Sequence, residues 1–219
     1  MPMLLAMAGA LAAPALMNAD TVISPDDYPQ GMVDAGQSAI VDIEVLVSPI
    51  GQPETCHVIG VVRARGFVEQ SPAGKRTCSL FLKRGKFTPA RDADGNAAYG
   101  TYRNWVRWAT GDGLDAGMPA QVDLEIQVAA LPAGVPNRSR VAVDLAVSAD
   151  GKPGPCAAAV LTAPKPTEIL SPPLARAACA TLAGSATLGT IVNFAGQPVP
   201  TVRRMTARFV VEQAPDKTS

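Results

Sequence analysis

Val41-Asp-Ile-Glu-Val-Leu-Val-Ser-Pro-Ile-Gly-Gln-Pro-Glu-Thr-Cys56 and Val141-Ala-Val-Asp-Leu-Ala-Val-Ser-Ala-Asp-Gly-Lys-Pro-Gly-Pro-Cys156 lie 100 residues apart in the chain. Six of these 16 aligned positions are identical: Val41/Val141, Val47/Val147, Ser48/Ser148, Gly51/Gly151, Pro53/Pro153 and Cys56/Cys156. Each stretch is an alternating apolar run followed by S-x-x-G-x-P-x-x-C. The period-2 alternation of β-branched residues predicts a half-buried strand, and the glycine-containing break predicts a hairpin turn. Further along, Cys78 matches Cys179, Gly95 matches Gly196, Arg107 matches Arg208 and Trp108 aligns with Phe209, at an offset of 101. The chain reads as two copies of one module of about 90 residues.

Within the first copy, Asp26-Asp27-Tyr28-Pro29 predicts a helix start, with acidic residues at the positive end of the dipole and proline in the first turn. That helix is expected to reach Asp34 and to end near Gly36. Ile40–Val47 is the first predicted strand, Ser48–Gly51 its turn, and Cys56–Val62 the returning strand. Ser71-Pro72 is expected to cap a helix running through Lys83, with Cys78, Phe81 and Leu82 on its apolar side and Gly85 as its stop. Thr101–Trp108 is the last strand. In the second copy the expected strands are Val141–Val147, Pro155–Leu161 and Val202–Val211. Leu131–Pro136 replaces the first helix, and an added strand is expected over Val122–Val128.

The order α-β-β-α-β sends the third strand parallel to the second and antiparallel to the first. An all-antiparallel sheet then requires the order 2-1-3, with helices on one face. The fold class is α+β, and the third strand of each copy is expected to be a sheet edge with unpaired backbone groups.

The chain has 219 residues, with 19 Lys plus Arg balanced by 19 Asp plus Glu, which argues against a basic nucleic-acid-binding surface. Its 20 prolines are scattered, against a helical bundle. The single histidine, His57, leaves little room for histidine metal sites or acid–base chemistry. No G-x-S-x-G, phosphate-binding loop or dinucleotide glycine fingerprint occurs, so no catalytic, cofactor-binding or metal residues are assigned and the protein is read as a non-enzyme. Lys75, Arg76, Lys83, Arg84, Lys86 and Arg91 form a basic run, read as a solvated helix face or a contact for an anionic partner. Trp105 and Trp108 are an odd number of positions apart, placing them on opposite faces of a strand.

Cys56 and Cys78 lie 22 residues apart, and Cys156 and Cys179 lie 23 apart, each pair on a strand and the next helix. A disulfide within each copy is the simple reading. A zinc site would call for paired C-x-x-C or Cys/His clusters, a redox site for C-x-x-C, and a Cys56–His57 dyad for neighbours that face the same way. Residues 3–17 are apolar, shorter than a membrane span and of signal-peptide length, although no Lys or Arg precedes them. Residues 1–19 are therefore expected to be a signal peptide, with cleavage candidates at Ala10-Leu11-Ala12 and Ala13-Pro14-Ala15. An apolar N-terminal helix packed on the domain is the alternative.

The first copy resembles a TonB C-terminal domain. The marks are Tyr28-Pro29, the turn ending in Gly51, Arg84-x-x-Phe87-x-Pro89-Ala90 after the helix, and Trp105-Val106-Arg107-Trp108 at the end. In the second copy the resemblance rests mainly on the repeat, since Thr190 stands where Pro89 does. The resemblance implies two tandem TonB C-terminal-like modules, residues 20–112 and a divergent 113–219, in the periplasm of a Gram-negative bacterium. It implies a domain that binds a segment of an outer-membrane receptor or other envelope protein as an added β-strand, linked to TonB-dependent transport. The binding edge would be Thr101, Tyr102, Arg103, Asn104, Trp105, Val106, Arg107 and Trp108, with Val202–Val211 as a second. No cofactor, nucleic acid or membrane span in this chain is implied. The alternative is a structural envelope protein whose modules pack on each other and consume those edges.

Overall fold

The computed structural model describes residues 11–62, 72–109, 121–160 and 168–211. Residues 1–10 of the expected signal peptide, Ser71, the expected module boundary at 112/113 and Leu161 lie outside them. In chain order the elements are β1 (Ala15–Leu16), α1 (Ala19–Val22), a 3-10 turn (Pro25–Asp27), α2 (Gln30–Asp34), β2 (Ala39–Val47), β3 (Pro53–Val62), α3 (Pro72–Arg84), β4 (Phe87–Thr88), β5 (Ala90–Arg91), β6 (Ala97–Ala98) and β7 (Gly100–Trp108). They continue as β8 (Leu124–Val128), β9 (Arg140–Val147), β10 (Pro153–Ala158), α4 (Pro172–Ala183), β11 (Ile191–Val192), β12 (Pro198–Val199) and β13 (Thr201–Val211). The class is mixed α+β.

The single helix expected from Asp26 to Asp34 is two pieces. Pro29 has no N–H to donate and pushes Tyr28 into an extended conformation (φ −59°, ψ 131°), so the chain turns there before α2 begins. Ser24 and Asp27 form a capping box around the 3-10 turn.

The repeated S-x-x-G builds the same turn twice. Ser48 and Ser148 each accept from the backbone N–H three residues on, at 2.9 Å, and each side-chain oxygen accepts from the N–H four residues on. Gly51 (φ 78°) and Gly151 (φ 82°) sit in the left-handed region, and a Cβ at Gly51 would lie 2.4 Å from the Phe87 carbonyl oxygen. The glycine is thus required by both the turn and the close passage of the chain after α3.

One sheet runs through the protein in the order β10-β9-β13-β7-β2-β3, with β8 added beside β13. Each repeat contributes its strands in the order second, first, third. The two third strands, β13 and β7, meet and run parallel, with Val202 opposite Gly100 and Arg203 opposite Thr101. Each repeat is antiparallel in the expected order, the joined sheet is mixed, and the third strands lie inside it, with β7 paired to β13 only at Gly100 and Thr101.

Strand alternation fixes which way each repeat faces. Tyr102, Val106 and Trp108 of β7 pack in the core of the first repeat, so Thr101 points away from that core. Met205, Ala207 and Phe209 of β13 pack under α4, so Arg203 points toward α4. Thr101 and Arg203 are paired neighbours and share a face. The helices of the two repeats consequently lie on opposite faces of the joined sheet, and the repeats are related by an approximate half-turn about an axis along the strands.

The first core is built on Val41, Ile43, Val45, Phe81, Phe87 and Trp108; the second on Val143, Leu145, Ala178, Leu182 and Phe209. Disulfides Cys56–Cys78 and Cys156–Cys179 tie β3 to α3 and β10 to α4. Leu82, expected on the apolar side of α3, is 40% exposed.

Two members of the basic run are held by an acid. Arg84 Nη1 donates to Asp27 Oδ2 at 2.6 Å and Arg76 Nη2 to Oδ1 at 2.7 Å, joining α3 to the capping box. The Arg84 hydrogen bond, with the Ser24 backbone N–H next, holds the Asp27 carboxyl far below the ordinary aspartate range. A depressed carboxylate stabilises the fold above its unfolded pKa of about 3.9, and the contribution is lost as pH falls through the folded value. Asp27→Asn is expected to lower the melting temperature at pH 7, with the difference from the parent shrinking below about pH 4. Thermal melts across pH 7 to 2.5 check this; a difference that grows with acid would refute it.

Candidate functional site

The expected binding segment Thr101–Trp108 is β7 without its first residue. On one side it is paired throughout with β2, from Leu46 opposite Thr101 to Ala39 opposite Trp108. On the other side Gly100 and Thr101 are taken by β13, which corrects the reading of Thr101 as a free edge residue. From Tyr102 onward the two third strands part. β8 takes the place beside β13, with Leu124 to Val128 opposite Ala207 to Val211. Among the described residues, no strand pairs with the outer side of β7 after Thr101, although Arg107 is itself engaged. Val202–Val211, the expected second edge, is largely covered: β9 pairs with it as far as Arg208 on one side, and on the other β7 takes Val202 and Arg203 and β8 takes Ala207–Val211.

Most side chains of this segment are occupied by the fold. Tyr102 stacks on Phe81 at 6.2 Å and meets Phe87 edge-on at 5.2 Å, and burial pushes its hydroxyl up to about 12. Trp108 is buried, meets Tyr28 edge-on, and donates from Nε1 to Thr77 Oγ1 at 2.8 Å. Trp105 lies on the opposite face, beside Gly60, and its Nε1 is buried without a hydrogen-bond partner. Of the other resemblance residues, Tyr28 donates its hydroxyl to the Gln37 carbonyl, Arg84 binds Asp27, Phe87 is core and Pro89 packs beside Gly51. All four positions stabilise the frame around β7.

The fork between the strands is clasped by charges. Arg103 donates to Asp42 Oδ2 from Nη2 at 2.6 Å and to Asp123 Oδ1 from Nη1 at 2.5 Å. Asp123 in turn exchanges hydrogen bonds with the Thr206 backbone, at 2.9 and 2.7 Å, fixing the start of β8 to β13. Burial raises the Asp123 carboxyl, while the Thr206 N–H and the Arg103 charge oppose the rise. Glu44, directly opposite both Arg103 and His57, is also raised by burial, against the charges of Arg203, Arg103 and His57.

The second repeat shows what the first has altered. Arg204 aligns with Arg103, and Asp144 with Glu44. There Arg204 binds Asp144 directly opposite it with two hydrogen bonds, at 2.8 and 2.9 Å. In the first repeat the guanidinium has turned to the diagonal Asp42 and to Asp123, and among the described residues Glu44 has no ion pair. The sequence carries this signal, an acid and an arginine recurring at offsets 100 and 101 inside apolar strands. Neither Glu44 nor Asp123 is among the residues expected from the sequence to form the site.

A cavity of about 260 Å³ opens at the fork, lined by Tyr102, Asn104, Gln121, Arg204, Thr206 and the N-terminal residues Pro14–Leu16 among others. Among the described residues, no cluster of three His, Cys, Asp or Glu is arranged to hold a metal, and no helix is long and apolar enough to cross a membrane. The two disulfides are compatible with a secreted or periplasmic location. No protein-family model matches the chain, and no curated protein or solved structure matches it.

Proposed function

We propose that this is a periplasmic, TonB-like, non-enzymatic binding protein of two tandem modules, which recognises an extended segment of an outer-membrane receptor or other envelope protein by strand addition. The observation that carries the reading is the outer side of β7 after Thr101, with which no strand pairs among the described residues, while Tyr102, Val106 and Trp108 serve the core. Strand addition uses main-chain hydrogen bonds for affinity, so it needs a free backbone edge more than free side chains. The disulfides support an oxidising compartment.

A second reading is favoured by the β13–β7 pairing at Gly100 and Thr101, through which the repeats consume part of each other's edges. In that reading the protein is an envelope structural element with no peptide ligand. Titration with extended receptor-derived peptides separates the two. Binding that slows amide exchange over Tyr102–Trp108 is the expected result. Absence of binding, with those amides already protected in the free protein, decides for the structural reading.

A further inference from the structure

Residues 11–17, the latter part of the apolar stretch expected to be cleaved, are built into the fold. Ala12 and Arg91 exchange backbone hydrogen bonds at 3.0 and 2.8 Å, and the Met17 N–H donates to the Lys86 carbonyl at 2.8 Å. Between them β1 pairs with β4, Ala15 opposite Thr88 and Leu16 opposite Phe87. The segment is thus an added antiparallel strand on Lys86–Arg91. Leu11 and Ala13 are buried in a separate cluster with Ala90 and Val202, on which Ala98, Ala146 and Ala157 also pack. Val202, Ala146 and Ala157 belong to the second repeat, so the segment straps the two repeats together.

The crossing is fitted to this occupant. A Cβ on Gly100 would lie 2.6 Å from both Pro14 Cδ and Ala90 Cβ, and 2.8 Å from the Val202 carbonyl oxygen. Small residues in the floor let an extended chain lie close. Pro14 passes this point without an N–H that would otherwise need a partner.

We propose that Lys86–Arg91, with the floor of Ala90, Ala98, Ala146, Ala157 and Val202, is an acceptor site for an extended peptide of a partner protein. That peptide carries apolar side chains at alternate positions, as Leu11 and Ala13 do, and a proline at the crossing, and residues 11–17 hold the site as the chain's own ligand. Tethering gives the strap an effective concentration on the order of millimolar, so a free peptide competes only when the strap is released. The site uses another backbone, Lys86–Arg91, although Pro14–Leu16 adjoin the Tyr102–Trp108 edge at the cavity of the fork, and either proposal stands without the other.

The test uses the full chain. Leu11→Asp/Ala13→Asp places two charges in the buried cluster and releases the strap without shortening the protein. A labelled synthetic peptide of residues 11–17 is expected to bind this variant at least tenfold more tightly than the parent, and the same peptide carrying Ala13→Asp is expected not to bind. A folded variant that binds neither peptide, or both equally, overturns the proposal. So does a variant that loses its near-ultraviolet circular dichroism, since the segment is then core and not a ligand. Hydrogen exchange on the parent gives an independent reading. The Ala12, Met17 and Arg91 amides are expected to exchange faster than those of β2 and β9, by local opening. Exchange at one common global rate would also overturn the proposal.

Discussion

Arg103→Ala is expected to cost about 3 kcal/mol of folding stability at neutral pH, toward the lower end of the range for removing one partner of a buried ion pair. The reason is what the substitution leaves behind. The Asp42 and Asp123 side chains are 2% and 8% exposed, and each would lose the one ion-pair partner it has among the described residues while remaining out of water. Arg103 itself is 29% exposed, which keeps the figure from the upper end. The loss carries a pH signature. Carboxyls buried without a counterion have folded pKa values above their unfolded ones, so they destabilise increasingly as pH rises through that interval and less as they take up protons. The deficit of Arg103→Ala relative to the parent should therefore narrow between pH 7 and pH 5. Urea unfolding at the two pH values measures it. A deficit that stays constant would mean that Arg103 acts by packing alone and that the clasp at the fork is not electrostatic.

Removal of the second disulfide should be more damaging than removal of the first, although their loops are nearly equal. The loops span 22 and 23 residues, and chain entropy alone assigns each bond about 3 kcal/mol. The difference comes from what else holds the helices. α3 presents Leu80 and Phe81 to a core that also contains Phe87, Trp108 and Tyr102. α4 presents Leu174, Ala175, Ala178 and Leu182, and Phe209 is the one aromatic in its core cluster among the described residues. Aromatic side chains bury the most area per residue, so α4 depends more on its covalent tie. Cys156→Ala/Cys179→Ala is expected to lower the melting temperature further than Cys56→Ala/Cys78→Ala, and to release the second repeat at a lower temperature than the first. Differential scanning calorimetry of both double variants, with hydrogen exchange to assign the transitions, tests the order. Equal losses would show that the bonds act through the unfolded chain only.

Much of the local structure was legible because its causes are local. The Val41–Val47 and Val141–Val147 alternation, the S-x-x-G turns and the proline-led start of α3 each depend on side-chain period or backbone conformation within a few residues. The boundaries moved by one to three residues in β2, β3 and β7. The break at Pro29 was also local, and proline chemistry could have indicated it. The expected binding segment was legible as a strand, β7, but not in its surroundings. Trp105 and Trp108 took opposite faces as alternation requires, whereas Arg103 turned to Asp123, a residue 20 positions away, just before the added strand β8. No pattern within β7 foretells that partner.

The sequence by itself determined the repeat, the α+β class, the turn chemistry and the strand–helix placement of the four cysteines, because each follows from spacing along the chain. Only the tertiary structure decided that the third strands meet in parallel, that the helices lie on opposite faces, and that residues 11–17 strap the repeats together. The physical reason is the same for all three. Strand edges join through backbone N–H and C=O groups that every residue but proline carries, so the choice of partner leaves little mark on side-chain identity. What marks there are, such as Gly100 beside Pro14 and Ala90, acquire meaning only once the chains have crossed.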